Sequence, residues 1–491
     1  MSNKVMQFFP HAVSVVVVCF GLLFPEQLES WVGGYTRGFL DNFDWLILLA
    51  SSGFLILCVF LIFSRHGTTV LGVDGVPPQY STISWLSMLF AAGMGAGLVF
   101  WGTAEPIQHM IHSPDGFAPD DPQGALHALT ITNLHWALHP WAIYGFSALA
   151  VAYFTFRKNQ PLLVSSPMRE QGGCSKNTAH IIDTIALLSI VFGVVASLGQ
   201  GVLQVSSGVE LLSGSLGAGP LSYTLVVAVL AACYMMSASG GINKGIKPLS
   251  DLNMIVCVLL MLFVLFCGPT IFLLQNIVGS LGSYVSNLVD MSFNLRHAEP
   301  EGNDWTKTWT LTYFLWWTAW GPFVGVFIAR ISEGRTIREF LVGVMLVPAV
   351  FSIVWFAILG GAGIHAQLGG ADLGAVDYSM VTFQLLEQMP LSGLTQTVTV
   401  LLVFIFLVTS ADSGTYVLGM YSTGGDPHPA LRHRMFWGVI IALMVLAALL
   451  TGKGMGMLRS LVAVGAIPFL FIMLWQGWCL LRSLHEVPHK K

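Results

Sequence analysis

Long apolar segments separated by short polar ones run through almost the whole chain. Twelve stretches, delimited by the length of each apolar run and by where charges cluster, approach the roughly 20 residues that a membrane-spanning helix needs. They lie near residues 9–25, 44–64, 83–104, 127–156, 181–211, 220–238, 251–273, 308–330, 341–364, 393–420, 435–451 and 457–482. The pattern predicts an all-α polytopic membrane protein with twelve transmembrane helices.

Composition supports this class and excludes others. Of the 491 residues, 55% are hydrophobic and only 9% are charged, against about 25% charged in a typical soluble domain. A water-facing surface cannot be built from so few charges, so a soluble enzyme is excluded. The net charge of -4 offers no basic patch for nucleic acid.

Basic residues are distributed unequally between the two sides that twelve spans would define. With the N-terminus inside, sixteen of the 21 Lys and Arg residues fall in cytoplasmic loops and tails, and five fall outside. This asymmetry follows the positive-inside rule. It predicts a multi-pass protein of the plasma (inner) membrane with both termini in the cytoplasm.

The segment between the seventh and eighth stretches is more than a connector. Apolar residues recur there at helical spacing, namely Ile277, Val278, Leu281, Val285, Leu288 and Val289. The stripe predicts an amphipathic helix on the outer surface. The alternative is an extension of the seventh span.

The third stretch contains three glycines at alternate positions, Gly93, Gly95 and Gly97. Each glycine costs about 1 kcal/mol in a helix interior, so the motif favours local unwinding. Unwound backbone within a membrane is tolerated where it lines a cavity. The alternative is close packing of helices through small residues.

The eighth stretch contains Pro322, which removes an N–H group and predicts a kink or break. The third and eighth spans are five apart and would run in opposite directions. Paired Gly- or Pro-interrupted segments in inverted halves are a sequence signature of a transporter binding site. A channel or a membrane enzyme does not require this pairing.

Aromatic residues cluster inside two spans rather than at their ends. Trp316, Trp317 and Trp320 lie within two turns of the eighth span, and the fourth span carries a second group. That second group comprises Trp136, Trp141 and Tyr144. We expect no acidic side chain to accompany them. Aromatic faces without a carboxylate suit a quaternary ammonium group, which cation–π attraction can hold; packing or interfacial aromatics are the alternative.

Several motifs carry a family resemblance. They are the run 93–97, the Trp/Tyr pattern of the fourth span, and the runs 309–317, 327–340 and 409–413. On these motifs the chain resembles the betaine/carnitine/choline transporter family over almost its whole length. One departure is Phe314-Leu315, where the family usually has a tryptophan followed by a small residue.

The resemblance implies a LeuT-like core of five plus five helices in inverted repeats, and a homotrimer. It implies two N-terminal helices outside the core in residues 1–82, a first repeat in 83–273, and the external amphipathic helix and loop in 274–307. A second repeat would occupy residues 308–482, followed by a short cytoplasmic tail in 483–491.

The resemblance also implies the substrate site. Its aromatic box would consist of Trp136, Trp141, Tyr144 and Trp317, with Trp316 beside it. The anionic end of the substrate would be held by Trp320 and by the backbone at Gly93, Gly95 and Gly97, because exposed N–H groups at a broken helix suit an anion. Gate or lining aromatics would be Phe100, Phe323 and Phe327.

Sodium is the coupling ion that the resemblance implies, and no other cofactor is expected. Its ligands would be the carbonyls of Ala91, Met94 and Phe406 and the hydroxyls of Thr409 and Ser410. The alternative for the two hydroxyls is bonding to the preceding helical turn.

A second sodium site of the family uses two threonines. Here the aligned positions are Ile190 and Val194, which have no side-chain oxygen. We therefore expect that site to be absent. The arginine that sodium-independent exchangers carry in the seventh helix is also missing from the seventh span, 251–273.

Two acidic residues and two histidines in the spans have both a functional and a structural interpretation. Glu105 and Asp412 are either functional intramembrane acids or helix-end caps and partners of a loop arginine. His135 and His139 flank the box, and we interpret them mainly as structural, with proton coupling as the alternative.

The sequence thus predicts a secondary active transporter that imports a small quaternary ammonium zwitterion similar to glycine betaine, coupled to sodium, by alternating access. The alternatives within the family are a choline/proton symporter and a carnitine-type exchanger. The alternative from another class is a channel. An enzyme is not expected, since no nucleophile–base pair lies in the spans.

Overall fold

The computed structural model describes residues 3–93, 95–240 and 246–486. These residues form eighteen α-helices, and the only β-type pairing in them is an isolated bridge between Val70 and Thr336. The helices are α1 (Asn3–Leu23), α2 (Pro25–Phe63), α3 (Thr82–Gly93), α4 (Ala96–Ile111), α5 (Pro122–Trp136), α6 (Leu138–Ala152), α7 (Ser166–Glu170), α8 (Lys176–Ser213), α9 (Pro220–Gly240), α10 (Ile246–Cys267), α11 (Thr270–Phe293), α12 (Pro300–Thr306), α13 (Thr312–Arg330), α14 (Ile337–Leu368), α15 (Tyr378–Glu387), α16 (Ser392–Ser422), α17 (Leu431–Leu450) and α18 (Met455–Glu486).

Helices occupy every stretch that the apolar pattern singled out. Nine helices in the described ranges are long and apolar enough to cross a membrane. The first predicted span, in α1, has a shorter apolar core at Phe9–Leu23, and the third and fourth are each divided into two helices. The all-α polytopic class is confirmed, while the count of twelve spans and their inverted repeats stay predictions.

The chain between the first two predicted spans is helical rather than a loop. Helix α2 begins at Pro25 and runs for 39 residues, with one non-helical residue at Phe43 (φ -130°, ψ 20°). The sequence predicts a connector between residues 25 and 44, where charged residues such as Glu26, Glu29 and Asp41 interrupt the apolar pattern. A charged segment can still be helical, because Glu and Arg are among the residues with favourable helix propensity.

The interruption predicted in the third span is present. Helix α3 ends at Gly93, α4 begins at Ala96, and Gly95 between them has extended backbone (φ -141°, ψ -162°). Met94 lies outside the described residues. The fully extended Gly95 ends the α-helical hydrogen-bond ladder, so the first turn of α4 presents a helix N-terminus inside the molecule.

Of the kink or break expected at Pro322, the break is absent. Helix α13 is continuous through the proline. Hydroxyls of neighbouring helices donate to carbonyls beside it: Ser189 Oγ lies 3.3 Å from the Ala319 oxygen, and Ser147 Oγ 3.3 Å from the Gly321 oxygen. Proline is tolerated in membrane helices where neighbouring groups bind the backbone in this way.

A second interruption lies where none was expected, in the fourth span. Helix α5 ends at Trp136, and Ala137 (φ -97°, ψ -110°) separates it from α6. Pro140 lacks the N–H group that would bind the carbonyl of Trp136 four residues earlier, which favours a helix end at that point. The sequence therefore carried this signal as plainly as the one at Pro322.

The amphipathic segment forms its own helix, α11, separated from α10 by Gly268 and Pro269. Its valines at 278, 285 and 289 are exposed on the described structure, while Ser280 and Tyr284 are buried against the protein. The apolar stripe therefore faces outward. The Tyr284 hydroxyl accepts a hydrogen bond (3.2 Å) from the Leu138 backbone N–H, at the start of α6.

Small residues bring the central helices close together. A methyl group on Gly201 of α8 would lie 2.3 Å from a Leu407 side-chain carbon of α16, and one on Gly360 of α14 would lie 2.5 Å from Pro106 of α4. In lipid, close contact of this kind replaces hydrophobic burial as the force between helices. It fixes α8, α16, α4 and α14 around the interrupted segment.

Candidate functional site

A cavity lies against the interruption at Gly95, enclosed by α4, α5, α6, α8, α13 and α16. The predicted site residues that line it are Gly95, Gly97, Trp136, Tyr144, Trp316, Trp317, Trp320 and Ser410. Residues on six helices thus meet at one place, although the sequence separates the first from the last by more than 300 positions.

Three of the four predicted box aromatics face this cavity, with their rings nearly perpendicular. The centroids of Trp136 and Trp317 lie 4.9 Å apart at 72°, and those of Tyr144 and Trp317 lie 6.0 Å apart at 84°. Trp141 does not line the cavity. It packs edge-on against Tyr144 at 5.6 Å, and therefore supports the box from behind in this conformation.

Tyr313 is a wall of the cavity that the sequence reasoning missed. Its ring lies 5.6 Å from that of Trp136 and 6.0 Å from that of Trp317. Tyr313 precedes Trp317 by four residues on α13 and so shares its face. That spacing was the available signal.

Trp101, a second wall that the sequence reasoning missed, follows Gly97 by four residues on α4. Its indole N–H donates to Gln200 Oε1 of α8 at 3.1 Å.

The indole N–H groups of Trp316 and Trp320 point toward α8. Both donate to Ser197 Oγ, at 3.0 and 3.1 Å, and that of Trp320 also lies 3.1 Å from the Gly193 carbonyl oxygen. The two side chains line the cavity with ring atoms while their donors are already engaged. Ser197 therefore positions both tryptophans.

The first turn of α4 has backbone N–H donors and packs closely against the ring of Trp136. The Leu98 N–H bonds to the Gly95 carbonyl oxygen at 3.1 Å, which leaves the donors of Ala96 and Gly97 at the helix N-terminus. A side chain on Gly97 would lie 3.1 Å from a Trp136 ring carbon. A larger residue at position 97 would require the Trp136 ring to shift by a few tenths of an ångström, so glycine lets the backbone approach the box closely.

The candidate cation ligands on α16 lie beside the interruption. Ser410 lines the cavity, and its Oγ lies 3.8 Å from the position of a Cβ on Gly95. The Thr409 hydroxyl donates to the carbonyls of Ile405 and Phe406, at 3.1 Å each. This is the helix-bonded alternative expected for Thr409, although its oxygen keeps lone pairs for a cation.

The structure says little of the other two predicted cation ligands, Ala91 and Met94. Met94 lies outside the described residues, and for Ala91 the structure describes only that it belongs to α3. The same holds for Gly93 of the predicted substrate site. The oxygens of Phe406, Thr409 and Ser410 are hard ligands of the kind that a sodium ion takes, so the described part of the set fits that ion.

The predicted gate aromatics stand back from the cavity. Phe100 is buried beside Trp101, with ring centroids 4.8 Å apart. Phe323 packs edge-on against Trp320 at 5.3 Å, and Phe327 is partly buried against the core. None of the three is among the lining residues in this conformation, so the lining role expected for them is not seen here.

A carboxylate does accompany the aromatic residues, which corrects the expectation that none would. Glu105 is fully buried on α4. Its Oε2 accepts hydrogen bonds from Trp136 Nε1 (2.7 Å) and from the Tyr313 hydroxyl (2.5 Å). Its Oε1 lies 2.7 Å from His135 Nδ1 and 3.2 Å from His109 Nε2. Glu105 is neither a helix-end cap nor the partner of a loop arginine.

The other ionisable residues of the spans have structural partners. Asp412 is buried and pairs with Arg434 at 2.9 Å, and it accepts a hydrogen bond from Ser237 at 2.6 Å. His139 stacks on Phe314 at 5.0 Å, and its Nε2 lies 3.3 Å from Ser292 Oγ. The arginine partner expected for Asp412 is confirmed.

Comparison with known proteins gives a consistent result. A family model described as BCCT, betaine/carnitine/choline family transporter, matches residues 5–489. The glycine betaine transporter OpuD of Bacillus subtilis is 40% identical over 480 residues, which are 97% of this chain and 93% of that protein.

Two further relatives are nearly as similar. A glycine betaine transporter of Acinetobacter baylyi is 38% identical over 94% of this chain and 69% of its own length. An ectoine/hydroxyectoine transporter of Virgibacillus pantothenticus is 35% identical over 94% of this chain and 92% of its own.

Proposed function

This chain belongs to the betaine/carnitine/choline transporter family, and we propose that it imports a small quaternary ammonium zwitterion similar to glycine betaine. As a member of that family it is a transporter and not an enzyme. Two of the relatives compared above are named for glycine betaine.

One observation carries the proposal. The rings of Trp136, Tyr144 and Trp317 line a single cavity, and the ring of Trp317 stands nearly perpendicular to each of the other two. A trimethylammonium group has no N–H to donate, so aromatic faces on several sides are its natural partners. The aromatic cavity therefore supports a quaternary ammonium substrate over one that needs hydrogen-bond acceptors.

The opposite end of the substrate has a partner in the same cavity. The start of α4, at Ala96 and Gly97, lines the cavity, and no side chain of the described residues caps this helix N-terminus. A helix N-terminus offers backbone N–H groups and the positive end of the helix dipole to an anion. A carboxylate bound there would lie beside the box. This arrangement favours a zwitterion over a simple cation such as choline.

Sodium is the proposed coupling ion. Ser410 borders both the cavity and the interruption at Gly95, so an ion at the α16 oxygens would affect the backbone that binds the substrate. We expect Ser410→Ala to raise the sodium concentration for half-maximal uptake by about tenfold. The carbonyls of Ala91 and Met94 would complete the ligand set.

Alternating access, a homotrimer, the inner membrane and cytoplasmic termini belong to the same proposal. The resemblance of the motifs to the family supports the first two, and the distribution of basic residues supports the last two.

The direct test is uptake of labelled glycine betaine into proteoliposomes of the purified protein, with and without an inward sodium gradient. Unlabelled choline, carnitine and ectoine compete in parallel assays. We expect sodium-dependent uptake that glycine betaine inhibits at least tenfold more strongly than choline does.

Other outcomes would point to the alternatives. Full uptake without sodium, driven by a proton gradient, would support a choline/proton type of symport if choline also competes well. Uptake that requires carnitine or betaine on the other side would support exchange. Single-channel conductance in a planar bilayer would refute the transporter mechanism.

A further inference from the structure

Behind the aromatic cavity lies a buried polar cluster that joins three helices. Glu105 of α4 stands at its centre, with His109 one turn further along α4, His135 and Trp136 at the end of α5, and Tyr313 on α13. Every member except Trp136 and Tyr313 is away from the cavity wall. The cluster therefore acts on the site from behind.

The contacts of Glu105 are those that an ionised carboxylate can make. The indole N–H of Trp136 and the Tyr313 hydroxyl donate to Oε2, and one ring nitrogen each of His109 and His135 lies within hydrogen-bond distance of Oε1. An ionised carboxylate has about four lone-pair sites and no proton, so it can accept all four bonds when the histidines carry their protons on these nitrogens. A protonated carboxyl group would keep all four contacts only by donating its own proton to one of the histidine nitrogens.

The neighbouring groups are consistent with this assignment. His135 Nε2 lies 3.0 Å from the Thr310 hydroxyl, which can donate to it while Nδ1 donates to Glu105. The basic group that faces the cluster from α18 is Arg459, whose guanidinium stacks 4.6 Å over Trp309 and 5.7 Å over Trp101. Among the described residues no hydrogen bond joins Arg459 to Glu105.

The carboxylate is coupled to the rings that face the substrate. Trp136 and Tyr313 both donate to Oε2 with a charge-assisted hydrogen bond, which draws electron density into the rings and makes their faces more negative. Trp317, the third wall, donates its indole N–H to the His135 carbonyl oxygen at 2.8 Å. Three walls of the cavity thus depend on one cluster.

From this geometry we propose that Glu105 determines the charge preference of the site. Its ionised carboxylate strengthens the attraction of the Trp136 and Tyr313 faces for a cation and adds a negative potential in the buried interior, where charges interact more strongly than in bulk solvent. The inference rests on the proposed function, because it assumes that the cavity binds a cationic group. Glu105 does not line the cavity, but the proposal assigns to it the discrimination between a cationic trimethylammonium group and an uncharged tert-butyl group of the same shape.

The test compares two ligands of one shape. The probes are glycine betaine and its tert-butyl isostere, in which carbon replaces the quaternary nitrogen. Their dissociation constants are measured on the full-length protein by quenching of tryptophan fluorescence. The dissociation constant of the isostere divided by that of glycine betaine reports the preference for the cationic group. A change in packing weakens the binding of both ligands and leaves this ratio unchanged.

We expect Glu105→Gln to lower this ratio by about tenfold or more, which corresponds to about 1.4 kcal/mol. Glu105→Asp keeps the charge, so it should weaken both ligands and leave the ratio within about twofold of the wild type. Glu210→Gln, at the exposed end of α8, serves as a control for the loss of a glutamate charge.

A milder pair of variants covers the case in which Glu105→Gln does not fold. Tyr313→Phe and Tyr144→Phe each remove one hydroxyl from the same cavity, but only that of Tyr313 binds Glu105. We expect the ratio to fall by about threefold in Tyr313→Phe and by less than about 1.5-fold in Tyr144→Phe.

The outcomes separate the two proposals. An unchanged ratio in folded Glu105→Gln, or equal ratios in the two tyrosine variants, would overturn the role of Glu105 while leaving betaine transport intact. A wild-type protein that fails to bind glycine betaine would overturn the proposed function instead.

Discussion

Truncation of Trp317 is the most direct probe of the aromatic box. Trp317 lies on α13 at the centre of the box. Its ring centroid is 4.9 Å from that of Trp136 and 6.0 Å from that of Tyr144, both edge-on, and 6.0 Å from that of Tyr313. It is 9% exposed, and it faces the cavity. Trp317→Ala removes one wall of the box and leaves the others in place.

The expected loss follows from the cation–π contact. A desolvated contact with tryptophan contributes about 2 kcal/mol, which corresponds to about a thirtyfold rise in the dissociation constant for glycine betaine. Trp317→Phe keeps an aromatic face but loses the hydrogen bond from the indole N–H to the His135 carbonyl oxygen (2.8 Å). The dissociation constant of Trp317→Phe for glycine betaine should therefore rise less, by about three- to tenfold.

The assay measures initial uptake in proteoliposomes and binding in detergent, with the amount of folded protein determined by size-exclusion chromatography. Trp478→Ala is the matched control, because Trp478 lies on α18 with half of its surface exposed. That variant should bind like the wild type.

Two results would refute the reasoning. Unchanged affinity in Trp317→Ala would show that the ring does not contact the cationic group. Equal losses in the Ala and Phe variants, in folded protein, would show that Trp317 acts by packing and by its hydrogen bond.

Three further predictions concern coupling and stability. The Hill coefficient for sodium should be near one, and a value near two with two charges moved per substrate would show that a second ion binds. Asp412→Asn should lower the free energy of unfolding by about 3 kcal/mol, because it leaves Arg434 largely buried without its partner; an unchanged melting temperature in detergent would contradict this. Partial burial opposes the charge of Asp115, but hydrogen bonds from His127 and Arg296 lower the pKa of this carboxyl below its usual value. Its contribution to stability is then complete at neutral pH and is lost as the pH falls below about 4, so Asp115→Asn should destabilise the protein at pH 7 and progressively less in acid.

Local chemistry made parts of the site predictable. The interruption at Gly95 follows from three glycines within five residues, whose backbone cost is a property of the segment itself. The aromatic cluster of the fourth span was visible in the sequence, and the family resemblance implied that Trp136 and Tyr144 belong to the box. Pro322 shows the limit of such reasoning, because hydroxyls on neighbouring helices bind the backbone around it.

The break at Ala137, which we did not expect, also has a signal in the neighbouring sequence. Pro140 favours it through the same missing N–H group that led us to expect a kink or break at Pro322. In sequence the two prolines are equivalent.

The sequence by itself determined the apolar helices, their interruption at Gly95 and the presence of aromatic clusters, because each depends on residues within a few turns of one another. Only the tertiary structure decided that Glu105 meets Trp136 and Tyr313, which lie 31 and 208 positions away along the chain. A buried carboxylate needs several donors, and a single helix cannot supply them. Three helices therefore have to pack together before the charge of the site is defined.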